Sequence, residues 1–111
     1  MLHEIKVNRR KWSRETVQIP VQYFIKGEST RYKEGTIINL SRSGVGVLFP
    51  LNEPLTIGAQ VFLELFVPKT LEQLSLKGEV KIRHKRGDSL IGGIHFISLL
   101  PKDLFIKLVY Q

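Results

Sequence analysis

From Val17 the chain alternates. Val17, Ile19, Val21 and Tyr23 fall on one phase, and Gln18 and Gln22 on the other, which is the two-residue period of a strand with one buried face. Pro20 has no amide proton for a ladder, so this is an edge strand or one with a bulge. Gly27-Glu28-Ser29-Thr30 supplies a hairpin connection, and Tyr32 to Leu40 reads as the returning strand. Ser41-Arg42-Ser43-Gly44 is a tight polar turn leading into a third strand through Val45, Val47 and Phe49.

Pro50 to Gly58 is a loop containing two prolines. Gln60 to Val67 is apolar on both phases except at Glu64, as expected of a strand packed on both sides. Leu74, Leu76, Gly78, Val80 and Ile82 then alternate with Ser75, Lys77, Glu79, Lys81 and Arg83, so the first set points to a core. Lys85-Arg86-Gly87-Asp88 turns the chain into a sixth strand, Leu90 to Ile97. After Pro101 the period changes, and Leu104, Phe105, Leu108 and Val109 share one face of a short amphipathic helix, with Pro101 suited to its first turn. Six short strands and a helix predict an all-β fold: a small antiparallel barrel or sandwich, taken here as a six-stranded antiparallel β-barrel with a short C-terminal helix. Residues 1–15 are polar, basic and aperiodic, and read as a flexible arm ahead of a barrel domain over residues 16–111.

Length and charge narrow the possibilities. A chain of 111 residues accommodates one compact domain. It has no cysteine, which removes disulfides, thiolate metal sites and cysteine nucleophiles. His3, His84 and His95 are too dispersed for a short metal-ligand spacing. No apolar run reaches the roughly 20 residues of a membrane span and no signal-peptide pattern is present, so a soluble, cytoplasmic protein without membrane insertion is expected. Seventeen Lys and Arg against ten Asp and Glu give a net charge of +7, which favours an anionic partner. Residues 1–14 concentrate that excess, with Lys6, Arg9, Arg10, Lys11 and Arg14 opposed only by Glu4. Lys81, Arg83, Lys85 and Arg86, opposed by Asp88, form a second cluster.

No catalytic arrangement emerges. Asn39-Leu40-Ser41-Arg42-Ser43-Gly44 is not the Gly-x-Ser-x-Gly elbow of hydrolases. Gly44-Val45-Gly46 falls short of a dinucleotide fingerprint and precedes a strand instead of a helix. His95 is read as a hydrogen-bonded structural histidine, and Arg86-Gly87-Asp88 as a hairpin turn. The arm and the turn are different. Arg9-Arg10-Lys11-Trp12-Ser13-Arg14 places three guanidiniums within six residues, each able to bind phosphate oxygens in pairs, meet the O6/N7 edge of guanine, or stack on a base. Asn39 and Ser41 lie two residues apart, on one side of a strand end, where they can hydrogen-bond a base edge. Gly44 permits a positive φ or a close ligand approach.

Taken together, the two segments resemble the PilZ domain family, bacterial receptors for cyclic di-GMP. Arg9-Arg10-x-x-x-Arg14 is similar to that family's Arg-x-x-x-Arg arm with an extra arginine in front. Asn39-x-Ser41-x-x-Gly44 is similar to its Asp/Asn-x-Ser-x-x-Gly turn. Asn39 lies 25 positions after Arg14, with one hairpin between them. Gly93-Ile94-His95-Phe96-Ile97-Ser98-Leu99 resembles the family's last-strand pattern, so the likeness spans roughly residues 9 to 100.

The resemblance implies a stand-alone, non-catalytic receptor whose arm folds over cyclic di-GMP on the outside of the barrel, with no cofactor. Arg10 and Arg14 would grip phosphate and the guanine O6/N7 edge. Asn39 and Ser41 would face guanine from the barrel. Gly44 completes the set. Asn39 stands where aspartate is commoner, and an amide oxygen accepts guanine donors less strongly than a carboxylate. Arg9 resembles the arrangement associated with two stacked ligand molecules, so one or two cyclic di-GMP per chain are expected. Trp12 either anchors the closed arm or serves as an exposed spacer, and Lys81 and Arg83 read as a solvated outer face. The bound state would signal to an effector protein, and no nucleic acid is expected. Two alternatives remain at this point: a small basic barrel binding nucleic acid non-specifically, and a PilZ-like interaction module that binds no ligand. Against the first, Tyr23, Phe49 and Phe96 fall on apolar phases and read as core instead of a stacking surface.

Overall fold

A computed structural model describes residues 13–110. Of the expected arm, Ser13, Arg14 and Glu15 are described; Arg9, Arg10, Lys11 and Trp12 lie outside the described residues. Six strands follow, β1 Glu15–Ile25, β2 Lys33–Leu40, β3 Gly44–Pro50, β4 Gln60–Phe66, β5 Gln73–Arg86 and β6 Ser89–Phe96, then helix α1, Lys102–Val109. They form a closed barrel in the order β1-β2-β3-β6-β5-β4, with every neighbouring pair antiparallel. Closure selects the barrel over the sandwich, because β4 returns to pair with β1 between Gln22 and Ile25.

The alternation seen in sequence sets what lies inside. Ile19, Val21, Tyr23 and Ile25 of β1 meet Val45, Val47 and Phe49 of β3, Val61, Leu63 and Leu65 of β4, and Leu90, Ile94 and Phe96 of β6 in one buried cluster. Each such side chain contributes about 1.5–3 kcal/mol on burial. Tyr23 and Phe49 meet edge to face with ring centroids 4.7 Å apart. Pro20 sits in the part of β1 that pairs with β2 alone, just past a bulge between Thr16 and Ile19, so its missing donor disturbs no second ladder. Gly87 takes a positive φ of 60° in the two-residue link between β5 and β6, which makes Arg86-Gly87-Asp88 the expected hairpin turn. Helix α1 buries Leu108 and packs Leu104, Phe105 and Val109 against the barrel. No described helix is long and apolar enough to cross a membrane.

Three expectations are corrected. Ile82 does not point into the core: it is 53% exposed, because a bulge between Val80 and Ile82 in the β5–β6 ladder inserts Lys81 and reverses the phase beyond it. β4 is not covered on both faces either. Its outer residues Phe62 and Glu64 are half-buried and Phe66 is exposed, and the apolar outer phase reflects Phe62 packing beside Phe24 of β1 at 6.3 Å between ring centroids. Tyr32 lies just before β2 and is exposed.

The loop after β3 is pinned from inside. Glu53 is buried and accepts a short hydrogen bond from the Tyr23 hydroxyl, while Lys33 Nζ lies 3.3 Å from its other oxygen. Burial, then the hydrogen bond to Glu53 and that residue's negative charge, push the Tyr23 phenol well above its ordinary value of 10.0. A raised folded-state value means stability is complete below the unfolded value and falls as pH climbs past it. The unfolding free energy should therefore drop above about pH 10, and Tyr23→Phe should flatten that alkaline limb in chemical denaturation. The same variant should lose about 1–3 kcal/mol at neutral pH, because the buried Glu53 carboxylate is left short of a donor.

Candidate functional site

The turn joining β2 to β3 is held by its own side chains. Ser41 Oγ accepts from the backbone amides of Ser43 at 3.2 Å and Gly44 at 3.1 Å, and the Ser41 amide donates to the Gly44 carbonyl at 2.9 Å. The Ser41 hydroxyl, expected to face guanine, is turned into this network, and the residue is only 3% exposed. Gly44 does not adopt a positive φ. Its need for glycine is steric: a Cβ there would lie 2.5 Å from the Ile94 carbonyl oxygen of β6. The turn thus rests directly on the backbone of the sixth strand.

Asn39 stands just ahead of this turn on the outer surface. A register shift between Ile37 and Asn39 pairs Asn39 with Gly46 of β3 on one side and with Thr16 of β1 on the other. The amide lies over Gly46, whose missing Cβ would approach Asn39 Nδ2 to 2.4 Å. Arg14, arriving from the arm, donates from Nη1 to Asn39 Oδ1 at 3.5 Å. The fold therefore brings the third arginine of the arm and the first residue of the turn motif together, although 25 positions separate them. What they share is an open, cation-bearing surface with an amide at its floor, able to present charge-assisted donors to an anion and amide groups to a base edge.

Opposite its exposed side, the turn is tied to the C-terminal segment. Arg42 Nε donates to the Leu100 carbonyl at 2.8 Å, the Leu100 amide donates back to the Arg42 carbonyl at 2.8 Å, and the Phe96 amide donates to the Ser43 carbonyl at 2.8 Å. Leu100 is buried, and Pro101 then leads into α1. Nothing in the periodicity signalled this link; it depends on a closure of 58 residues.

Other candidates stand apart. Lys81 and Arg83 are exposed, with Lys81 Nζ 3.4 Å from Glu79. His95 is exposed on the outer face of β6, between the buried Ile94 and Phe96. Among the described residues no cluster of His, Asp and Glu forms a metal-binding arrangement. A cleft of about 870 Å³ opens where β1 and β4 part, lined by Gln22, Tyr32, Glu34 and Phe66 among others, and holds none of the expected site residues. The outer aromatic group Tyr32, Phe24 and Phe62, with Lys77 Nζ 5.6 Å from the Phe62 ring centre, escaped the sequence reading because Phe24 and Phe62 occupy the phase opposite the core.

The sequence pattern of the PilZ domain family matches residues 8–111. No curated protein matches the chain significantly. Among solved structures, the PilZ domain of Escherichia coli YcgR with c-di-GMP aligns at a TM-score of 0.72 and 14% identity, over 93% of this chain and 90% of that one. The Bacillus subtilis inhibitor of motility MotI/DgrA aligns at 0.69 and 16% identity over 93% of this chain. This chain spans only 49% of the MotI/DgrA chain. The PilZ domain of CeSA from a cellulose-synthesizing bacterium aligns at 0.63 and 22% identity, over 88% and 95%. At these identities the structures attest the shared fold.

Gly44→Ala drives a methyl into the β6 backbone, and neither partner is a flexible side-chain end. It should cost about 1–3 kcal/mol in thermal or chemical unfolding, with amide shifts confined to the Ser41–Gly44 turn and its β6 partners.

Proposed function

The chain belongs to the PilZ domain family, and on that premise we propose that it is a cytoplasmic cyclic di-GMP receptor and adaptor, binding the messenger without converting it and passing the signal to an effector protein. The observation that carries the reading is the meeting of Arg14 with Asn39. Cyclic di-GMP bears two phosphates and two guanines, and so calls for guanidinium forks and polar edge contacts in one place. Arg10 and Arg14 bind phosphate and the guanine O6/N7 edge, Arg9 supplies the added positive charge for a second stacked ligand, and Asn39 meets a guanine edge. Ser41 and Gly44 hold the turn beneath it. The c-di-GMP-bound YcgR domain, of like fold, supports the same reading.

The barrel face is open, so residues 1–15 complete the site by closing over the ligand. Charge-assisted contacts are worth about 1.5–3 kcal/mol each, less the cost of ordering the arm. The closed arm offers a new surface to the effector. The bonds from Arg42 to Leu100 give the same event a second route, toward α1.

Replacing Arg10 and Arg14 together by alanine should abolish cyclic di-GMP binding in isothermal titration while circular dichroism and unfolding of the barrel stay unchanged; undiminished binding refutes the assignment. Stoichiometry from the wild-type titration tests Arg9, with two ligands per chain expected and one excluding the stacked pair. The outward-facing Phe24–Tyr32–Phe62 group, half-buried at both phenylalanines and exposed at Tyr32, favours one rival, non-specific nucleic-acid binding. Tight, salt-sensitive oligonucleotide binding with no response to cyclic di-GMP would establish that rival instead.

A further inference from the structure

The cleft between β1 and β4 takes no part in the site above, and its charge runs against that of the chain. Gln22 of β1 pairs with Glu34 of β2 on one side and with Glu64 of β4 on the other. All three lie on the outward phase of their strands, so two carboxylates flank one amide in a single row. Beyond Gln22 the strands part: Pro20 and Val21 have no partner on β4, and the cleft of about 870 Å³ opens there. Among the described residues its lining holds Glu34 and Glu64 and no Lys, Arg or His, in a chain of net charge +7.

The remaining walls suit a cation carried on an apolar stem. Tyr32, 43% exposed, and Phe66, 58% exposed, line the same cleft. Gln73 Nε2 and Ser75 Oγ donate to the Glu64 carboxylate at 3.0 and 2.9 Å, which fixes its position without neutralising it. In the adjoining outward row, Phe24 pairs with Phe62 and Phe62 with Lys77. There the protein already sets one of its own cations against an aromatic ring, with Lys77 Nζ 5.6 Å from the Phe62 centre. An arginine or lysine meets carboxylates with its charged head and lays its stem on aromatic faces. A polyanion in the same cleft meets two like charges.

We infer that this cleft is a docking site for a basic segment of a partner protein, with an arginine or lysine head seated between Glu34 and Glu64 and its stem against the aromatic walls. The charge complementarity selects the occupant: the concave surface is acidic while the chain as a whole is basic. The cleft includes neither Arg14 nor Asn39, so the inference goes beyond the receptor reading and does not depend on it.

The probe is a tri-arginine peptide with blocked termini, titrated into the isotope-labelled full chain and followed by backbone amide shifts. A tri-glutamate peptide and an oligothymidylate serve as comparisons. The positive net charge of the protein opposes general attraction of the cationic peptide, so a response to it is local. Tri-arginine should shift Gln22, Glu34, Glu64 and Phe66, leave Asn39 and Gly46 unmoved, and lose its effect at high salt. Glu34→Gln together with Glu64→Gln should weaken binding about tenfold, the scale of two exposed ion pairs. Glu34→Gln alone, on an exposed side chain, should weaken it about threefold and keeps the test valid if the double variant unfolds. Undiminished binding by Glu34→Gln, an unmoved cleft with tri-arginine, or the same cleft shifts with oligothymidylate or tri-glutamate overturns the inference. Cleft shifts that grow with protein concentration in the absence of any peptide overturn it in favour of a second copy of the chain. Failure to bind cyclic di-GMP leaves this result untouched, so the two readings fail separately.

Discussion

The contact on which the rest of the molecule depends is the close approach of the Ser41–Gly44 turn to the sixth strand. Only a residue without a Cβ fits against the Ile94 carbonyl, and Ser41 spends its hydroxyl on the turn's own amides to hold that geometry. From this anchored point the structure extends in two directions. Outward, Asn39 is set on the surface beneath Arg14. On the other side, Arg42 and Leu100 bond each other twice, joining the turn to the chain entering α1. The receptor proposed above would need such an element, rigid enough to position a ligand contact and connected to something that can report on it.

Much of this was legible in the sequence, because a barrel of short strands writes its inside and outside with a period of two. Val17 through Tyr23, Leu74 through Val80 and Leu90 through Phe96 declared their buried phases, and the change of period after Pro101 declared the helix. Where the pattern misled, a local physical reason is visible. The alternation through Ile82 continued unbroken in sequence, and only the ladder reveals that Lys81 is an extra residue. Phe62 reads as doubly buried because its outer neighbour, Phe24, is brought there by barrel closure. Gly44 was recognisable as a required glycine, but the requirement came from a neighbouring strand and not from its own φ.

The candidate site divides along the same line. Motif spacing singled out Arg14 and Asn39 separately, and tertiary structure supplied their meeting. Ser41, expected to face guanine, has its hydroxyl on the amides of its own turn. Under the proposed function, such a surface would suit a ligand whose affinity comes from charge and whose enclosure comes from a segment outside the barrel. Residues 1–14 hold five of the seventeen Lys and Arg against Glu4 alone, so under the proposed function an apolar interior would make the platform and the arm would supply much of the positive charge.

The most direct measurement is a nuclear magnetic resonance titration of isotope-labelled protein with cyclic di-GMP, following backbone amides and the Asn39 side-chain amide. The account predicts shifts concentrated at Arg14, Asn39, the Ser41–Gly44 turn and Gly46, extending to Leu100, with the outer face around Phe24 and Phe62 unmoved. Shifts centred on that aromatic face, or none at saturating ligand, would contradict it.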